Sequence, residues 1–352
     1  MAFREATVTE IISERQGLQR VYLDDGTRAY VLEHLIGRVA PHDRVIVNTT
    51  AVELDLGTGG WHVVLWNQSR TSWSEPGPGH IMKLRYTPLQ LDAGSAEEHL
   101  PDLPLDLEGR PVVAALLHSQ IAAIAVAIKD VRPSARIANV MTDEAPLPLA
   151  LSHLVATLIE RRLIDATVTA GQAFGGMWEA VSIPSALTVA AHAAEADIVI
   201  VAMGPGIVGT GSTLGFSGAE LGSVLDWTNS LHGRPVAALR TSFADSRERH
   251  RGLSHHCKTA FGLAMHTRAQ LVVPTVGGSE EAEIRADLDA TGLATQHEIL
   301  SHPPVGIVER FADLNLHVTS MGRSAAEDEV FFEAAAVAGA YAATSIQEHG
   351  KS

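Results

Sequence analysis

The segment between Arg240 and Thr259 carries side chains that can hold anions and move protons. It reads RTSFADSRERHRGLSHHCKT, with four arginines, three histidines and one lysine, in a protein whose formal charge at pH 7 is -15. Guanidinium groups bind carboxylate or phosphate through paired hydrogen bonds, and imidazole exchanges protons near neutral pH. The spacing therefore predicts ligand-binding roles for Arg249 and Arg251 and catalytic proton transfer by His255 and His256. The alternative is a solvated loop whose histidines cap the next helix.

The same segment also suggests a metal site. Imidazole and carboxylate groups suit zinc and related divalent ions, so His250, His255 and Asp245 are candidate ligands. Adjacent histidines on a helix point about 100° apart, so His255 and His256 bind one ion together only if they precede the helix. The cofactor is left unknown, with a divalent metal as an open alternative.

A glycine-rich segment, GPGIVGTGSTLGFSG at residues 204–218, follows a predicted strand. Its first glycines satisfy the pattern G-x-G-x-x-G, which lets backbone amides approach an anion. The candidate ligand-binding residues here are Gly204, Gly206, Gly209, Gly211 and Ser212. NAD(P) is not supported beyond this weak match, because helical sequence starts only near Ala219, and Ser212 stands where a P-loop has lysine. A turn-forming loop at a subunit contact is the alternative.

Two more candidates follow predicted strands. His118 comes directly after VVAALL, and Asp143 follows RIANVM with Glu144 beside it. Ligands of parallel sheets bind at the carboxyl ends of the strands, so His118 and Asp143 are taken as catalytic candidates. An acid in front of a helix is also favourable through the helix dipole alone. His153 is expected on the polar face of its helix, outside the site.

The elements that must position these residues change character along the chain. Residues 1–65 contain five short β-rich runs with Asp25-Gly26 as a predicted two-residue hairpin turn, which indicates a small barrel. After residue 110, unalternating apolar runs alternate with helical patterns, as in strands buried on both faces. We predict a β-barrel-like domain at 1–91, a linker at 92–109 and an α/β domain at 110–352. The second domain is expected to be a mainly parallel, helix-covered, Rossmann-like sheet.

Helix ends are predicted from capping residues. Pro184 suits the first turn of a helix over about 184–195. Ser279 ahead of Glu280 and Glu281 is typical of a cap, and Ser324 with Glu327 fits a capping box.

Four long runs resemble a known family. RVIVNTTAVELDLGTGGWHVVL (44–65), GHIMKLRYTPLQ (79–90), VAMGPGIVGTGSTLGFSG (201–218) and SFADSRERHRGLSHH (242–256) are similar to the bacterial family catalogued as domain of unknown function 3866. The resemblance extends over nearly the whole chain. It implies no activity, cofactor or catalytic residue, so each role above depends on the residues themselves.

The sequence favours a protein that binds a small anionic ligand, phosphorylated or carboxylate, at the carboxyl edge of its sheet, as a hydrolase or transferase. The alternative is a non-catalytic ligand-binding or regulatory module that uses the same pocket. The diffuse acidic charge argues against nucleic-acid and membrane partners. The one cysteine, Cys257, and the absence of a secretion signal predict a cytoplasmic protein. A homo-oligomer is expected.

Overall fold

A computed structural model describes residues 1–57 and 59–346. The described chain divides into two compact units. The first contains residues 1–94 and Pro148–Leu151, and the second contains Ser95–Leu147 and the chain from Ser152 onward. Within the described residues, no helix has both the length and the apolar character needed to cross a membrane.

The first unit is built on a closed barrel of five strands, as the sequence predicts. Its strands are Phe3–Arg15 (β1), Leu18–Leu23 (β2), Arg28–Leu32 (β3), Arg44–Asn48 (β4) and Trp61–Asn67 (β5), in the order β1-β2-β3-β5-β4. Alternate residues point inward, and Val8, Val21, Val31, Val45 and Val64 are among the side chains that fill the core. The unit also contains short helices at Glu33–Ile36 (α1) and Thr50–Glu53 (α2) and a strand pair at Met82–Lys83 (β6) and Leu91–Asp92 (β7).

The predicted two-residue turn between β2 and β3, which would be of type I′, is wrong, although the hairpin itself forms. Leu23 N donates to Thr27 O, and Gly26 has a φ of 80° while Asp25 is not in the positive-φ region. A type I′ turn needs two consecutive residues at positive φ. The bond from Leu23 N to Thr27 O closes a loop longer than two residues, and within it the Asp25 side chain accepts hydrogen bonds from Thr27.

The second unit contains an eight-stranded sheet in which every neighbouring pair is parallel. Its strands are Pro111–Ala115 (β8), Ile137–Thr142 (β9), Ala166–Thr169 (β10), Trp178–Glu179 (β11), Ile198–Met203 (β12), Arg234–Ala238 (β13), Gln270–Pro274 (β16) and Glu298–His302 (β17). Their order is β11-β10-β9-β12-β8-β13-β16-β17. The sequence did not indicate β11 or β17, because these edge strands are short or half-exposed and lack a continuous apolar run.

Helices cover both faces of this sheet. They are Ala96–His99 (α3), Gln120–Val131 (α4), His153–Glu160 (α5), Ile183–Thr188 (α6), Leu221–Ser230 (α7), His255–Ala260 (α8), Gly278–Ala290 (α9), Leu293–Gln296 (α10), Ile307–Asp313 (α11) and Glu329–Thr344 (α12). Val112, Ala114 and Leu116 of the central strand region share a core with Val224 and Leu225 of α7. The alternate residues Val113 and Ala115 are also buried, and α12 packs on the sheet and on α4.

Two predicted helix caps are wrong. Helix α9 starts at Gly278 behind Gly277, so Ser279 lies inside the first turn. Gly277 has a φ of 75°, which a serine could adopt only with strain. Ser324 does bond to Glu327, but α12 starts at Glu329 behind Asp328, so this pair lies before the helix and does not cap it. Pro184 is in the first turn of α6, as predicted.

Short segments complete the carboxyl edge of the sheet. The chain after β13 forms an antiparallel pair, Thr241–Ser242 (β14) and Gly252–Leu253 (β15), and a second hairpin joins Thr319–Ser320 (β18) to Arg323–Ser324 (β19). Residues after β8 turn into α4 on one face of the sheet, and those after β12 lead to α7 on the other. Because β8 and β12 are neighbours, a crevice opens between their carboxyl ends.

Candidate functional site

Two cavities lie at the carboxyl edge of the large sheet. The first, called here the switch-point pocket, has a volume of about 960 Å³. Its lining includes Leu117 to Ser119 after β8, Met203 to Ile207 after β12, and one face of α5. The second, called here the anion cavity, has a volume of about 110 Å³. The lining of the anion cavity is Ile207, Gly209, Gly211, Arg240, Arg247, Arg249, His250, His255, His256 and Met321.

Arg240 is the most unusual residue of the anion cavity. It follows β13 directly and is only 3% exposed, yet no carboxylate among the described residues forms an ion pair with it. Its Nη1 instead donates to Nδ1 of His256, 2.6 Å away. Burial lowers the pKa of Arg240 to about 10, which still leaves the group charged at neutral pH. A buried charge without a counter-ion is costly, so an anion entering the cavity would supply the missing partner.

Three imidazoles gather beside this guanidinium. One ring nitrogen each from His250, His255 and His256 lies within 4.8 Å of the others. His256 stacks on Phe216, with ring centroids 3.9 Å apart, and Nδ1 of His250 bonds to Ser254 Oγ at 2.8 Å. Nε2 of His255 is buried and has no hydrogen-bond partner. The cluster therefore has a ring nitrogen in the cavity wall that can still form a hydrogen bond.

The imidazoles are held neutral. Burial lowers the pKa of His250 to about 3 and that of His256 to about 2, and in both cases the charge of Arg240 adds to the effect. The pKa of His255 is also lowered, first by burial and then by Arg249. Neutral histidines can accept or donate a proton, and they leave the arginines as the fixed charges of the cavity.

The tautomer of His256 argues against a three-histidine metal site. A guanidinium only donates hydrogen bonds, so Nδ1 of His256 must accept the bond from Arg240, and the neutral ring then carries its proton on Nε2. That nitrogen has no free lone pair for a metal. His250 and His255 would be left as ligands next to three arginines, whose positive field repels a cation. The donor set fits an anion better than a metal ion.

Asp245, the third predicted metal ligand, forms ion pairs with two arginines. Its carboxylate accepts two hydrogen bonds from the Arg247 guanidinium, at 2.9 and 2.7 Å, and one from Arg323 at 3.3 Å. The hydrogen bond from Arg247 holds the pKa of Asp245 well below its usual range. Asp245 does not join the histidine cluster, and its role in the fold is to hold Arg247 in the cavity wall.

The two predicted arginines are placed differently. Arg249 is exposed at the mouth of the anion cavity, where its guanidinium carbon would lie 3.9 Å from a Cβ on Gly211. Arg251 is not among the lining residues, because its guanidinium stacks over the Phe243 ring at 5.4 Å and donates to the Phe243 carbonyl. Arg247, which the sequence did not single out, is in the lining.

The predicted glycines divide between the two cavities. Gly204 and Gly206 line the switch-point pocket, whereas Gly209 and Gly211 line the anion cavity. Gly206 and Gly211 have φ values of 93° and 83°, which favour glycine. Ser212 lies outside both linings, and its hydroxyl bonds to Thr210 Oγ1 and accepts from Gly215 N within the loop. The loop folds back on itself through a bridge between Gly209 and Phe216.

His118 lines the switch-point pocket, but the fold occupies both of its ring nitrogens. Nδ1 donates to Met203 O at 2.9 Å, and Nε2 accepts from Ser152 Oγ at 2.6 Å. Ser152 in turn accepts from Val155 N and caps α5. Burial lowers the pKa of His118 to about 4. These bonds tie the ends of β8 and β12 to the start of α5, so His118 shapes the pocket wall.

Asp143 belongs to a separate cluster of carboxyl groups. One oxygen each from Asp143, Glu144 and Glu220 lies within 4.8 Å of the others. Asp143 Oδ2 accepts from Gln172 N at 2.8 Å, and the Thr142 hydroxyl donates to Glu220. Burial, together with the other two acids, raises the pKa of Glu220 to about 8. None of the three acids lines the anion cavity or the switch-point pocket.

Cys257 is buried, and burial raises the pKa of its thiol to about 12. The sequence analysis placed His153 outside the site, but His153 lines the switch-point pocket. It also gave no indication of Ile207 or Met321, which line both cavities. Only the position of Arg240 directly after a strand offered a signal, and that signal did not show that the group is buried and unpaired.

Comparison with known proteins places the chain in one family. No curated protein matches it. The family model described as protein of unknown function (DUF3866) matches residues 28–339, which cover the core of the large sheet and both cavities. The chain therefore belongs to the DUF3866 family of proteins of unknown function.

Proposed function

We propose that this protein binds a small anionic group, phosphate or carboxylate, in the anion cavity at the carboxyl edge of its sheet. The observation that carries the proposal is Arg240, a guanidinium that is 3% exposed and has no acidic partner among the described residues. Arg247 and Arg249 add positive charge to the same wall, in a chain whose overall charge is -15. Such local concentration of the minority charge supports an anionic ligand.

The imidazoles supply the remaining polar groups. With His256 Nδ1 engaged by Arg240, its Nε2–H is available as a donor to an oxyanion. His255 is neutral and has an unpartnered Nε2, so it is the group best prepared to accept a proton. In a hydrolase or transferase these two histidines would be the catalytic residues. A non-catalytic binding or regulatory module would use the same contacts without turnover.

Titration calorimetry with inorganic phosphate tests the binding proposal. In Arg240→Met we expect affinity to fall about 30-fold or more, because truncating one partner of a buried charged hydrogen bond costs about 2 to 5 kcal/mol. Arg251→Met is the matched control, since Arg251 lies in the same segment but contacts Phe243. Equal loss in both variants, or no binding by the natural protein, would contradict the proposal.

A chromogenic aryl phosphate ester separates the catalytic and non-catalytic versions. If the protein is a hydrolase, His255→Asn should lose turnover while phosphate affinity stays within about twofold. Retained turnover in this variant would remove His255 from the catalytic role. If the natural protein binds phosphate and turns over no ester, the binding-module version is favoured.

The expectations about partners and compartment remain part of this proposal. The diffuse negative charge supports a protein that binds neither nucleic acid nor membrane. The exposed apolar side chains of Val208 and Leu214 in the glycine-rich segment support a homo-oligomer. The single cysteine supports a cytoplasmic location.

A further inference from the structure

The two cavities share a border. Ile207 and Met321 are in the lining of both the anion cavity and the switch-point pocket. At about 110 Å³ the anion cavity is far smaller than pockets for organic ligands, which measure about 300 to 1,000 Å³. The switch-point pocket, at about 960 Å³, is within that range. One cavity has the size of an inorganic anion and its neighbour has the size of an organic body.

Met321, on this border, lies in a hairpin that ion pairs hold in place. It lies at the tip of the hairpin between β18 and β19, with a φ of 51° that side chains of this size rarely adopt. Arg323, two residues on, pairs with Asp328 at 3.0 Å and with Asp245 at 3.3 Å. Since Asp245 also holds Arg247, one carboxylate fixes both the hairpin and the cavity wall. The flexible thioether can adapt to a ligand that passes beside it.

The chemistry of the switch-point pocket favours an uncharged, largely apolar body. Leu117, Met203, Leu316 and Val318 are buried apolar residues of its wall. Its one arginine, Arg161, donates to the carbonyls of Leu314 and Asn315 and so is already engaged. Glu160 at the rim would repel a second anionic group.

We propose that the ligand is an amphiphilic molecule with one anionic head group, such as a phosphate monoester, which places its anionic group in the anion cavity and an apolar, uncharged body in the switch-point pocket. This inference rests on the proposed function, since it assumes that the anion cavity is occupied. It adds the class of the ligand and the contact of its body with Ile207, Met321 and Leu154.

A probe series measures the contribution of the body. Titration calorimetry of the full chain uses inorganic phosphate, phenyl phosphate and 1-naphthyl phosphate, with uncharged 1-naphthol as the control without a head. We expect affinity to rise along the series, with 1-naphthyl phosphate at least tenfold tighter than phosphate, which corresponds to about 1.4 kcal/mol. The naphthol should bind at least tenfold more weakly than its phosphate ester.

Substitutions in the wall of the switch-point pocket test whether the apolar body of the ligand binds there. Leu154→Trp should fill the switch-point pocket and remove the gain for 1-naphthyl phosphate, while leaving inorganic phosphate affinity within about twofold. Leu105→Trp is the matched control, because Leu105 is exposed and lies outside both linings. If Leu154→Trp does not fold, His153→Trp tests the same wall at an exposed position.

The outcomes separate the two proposals. If inorganic phosphate binds but the aryl esters bind no tighter, the amphiphilic ligand is overturned and the anion cavity stands. A gain that survives both Leu154→Trp and His153→Trp places the body elsewhere and also overturns it, as does naphthol binding as tightly as its ester. If neither phosphate nor any ester binds, the proposed function fails and this inference fails with it.

Discussion

Two half-buried clusters of titratable groups lie at the carboxyl edge of the sheet. Both reduce charge repulsion among their members, one by losing protons and the other by keeping one. His250, His255 and His256 avoid mutual repulsion by losing protons, because burial and nearby arginines lower their pKa values. In the carboxyl cluster, Glu220 avoids repulsion by keeping a proton, because burial and its neighbours raise its pKa to about 8. Each cluster is partly neutralised by its own protonation state.

The clusters differ in what surrounds them. The imidazoles share a cavity with Arg240, Arg247 and Arg249, whose charges do not titrate near neutral pH. Asp143, Glu144 and Glu220 form no ion pair within the described residues and line neither cavity. A shifted pKa alone therefore does not identify a functional site here. The fixed and unpaired positive charge beside the imidazoles is what distinguishes the anion cavity.

The largest expected effect on stability comes from removing the Asp245 carboxylate, which holds Arg247 beside the imidazole cluster. Asp245→Asn should lower the free energy of unfolding by about 3 kcal/mol, because it leaves Arg247 without its carboxylate and leaves Arg323 with Asp328 as its one remaining partner among the described residues. Urea denaturation would measure this loss. Asp143→Asn is the counterpart in the carboxyl cluster and should cost little or even stabilise, because it removes repulsion. A larger loss of unfolding free energy in Asp143→Asn than in Asp245→Asn would contradict this difference between the clusters.

Lowering the pH should destabilise the folded protein through the imidazole cluster. The unfolded chain binds protons at histidines with a pKa of 6.5, whereas His250 and His256 stay neutral in the fold until about pH 3 and about pH 2. Stability should therefore fall as the pH is lowered from about 6.5, by about 2 kcal/mol per buried histidine at pH 5. Unfolding measured from pH 8 to pH 5 in the natural protein and in His256→Gln should show a shallower decline in the variant. Identical slopes would show that His256 is not held neutral.

Raising the pH should destabilise the protein through the carboxyl cluster, with an effect reduced by solvent screening because Glu220 is only partly buried. Glu220 keeps a proton in the fold up to about pH 8, while the unfolded chain releases it above the usual value of 4.5. Stability from this group is present below that value and is lost as the pH rises toward 8. Glu220→Gln, which cannot ionise, should raise the melting temperature at pH 8.5 and change it little at pH 5. An equal change at both pH values would indicate a packing effect.

Much of the fold was accessible from local pattern. The five barrel strands match the predicted β-rich runs. The strands β8, β9, β10, β12, β13 and β16 match the predicted apolar runs, because burial on both faces of the large sheet requires continuous apolar sequence. Ser279 as a cap failed, because Gly277 can take the positive φ required before α9. Edge strands β11 and β17 were missed, because little of their surface is buried and no apolar run marks them.

The candidate site was only partly accessible. The sequence indicated the segment that holds His250, His255 and His256, and it indicated the glycines, because residue types and position after a strand are local properties. It could not show that Arg251 turns to Phe243 or that both nitrogens of His118 are occupied, since these partners come from packing. Met321 reaches the cavities from a hairpin about 80 residues beyond Arg240 in sequence, and no local pattern connects the two.

The sequence by itself determined which kinds of element this chain forms and where positive charge and imidazole concentrate within an acidic protein. Hydrophobic periodicity and composition are sufficient for that, because they act over short stretches of chain. Only the tertiary structure decided that Arg240 is buried with no ion-pair partner among the described residues, while Asp245 holds Arg247 and Arg323. Counter-ion pairing and burial depend on which distant side chains meet. For that reason the proposed ligand-binding role rests on the fold and not on the motif.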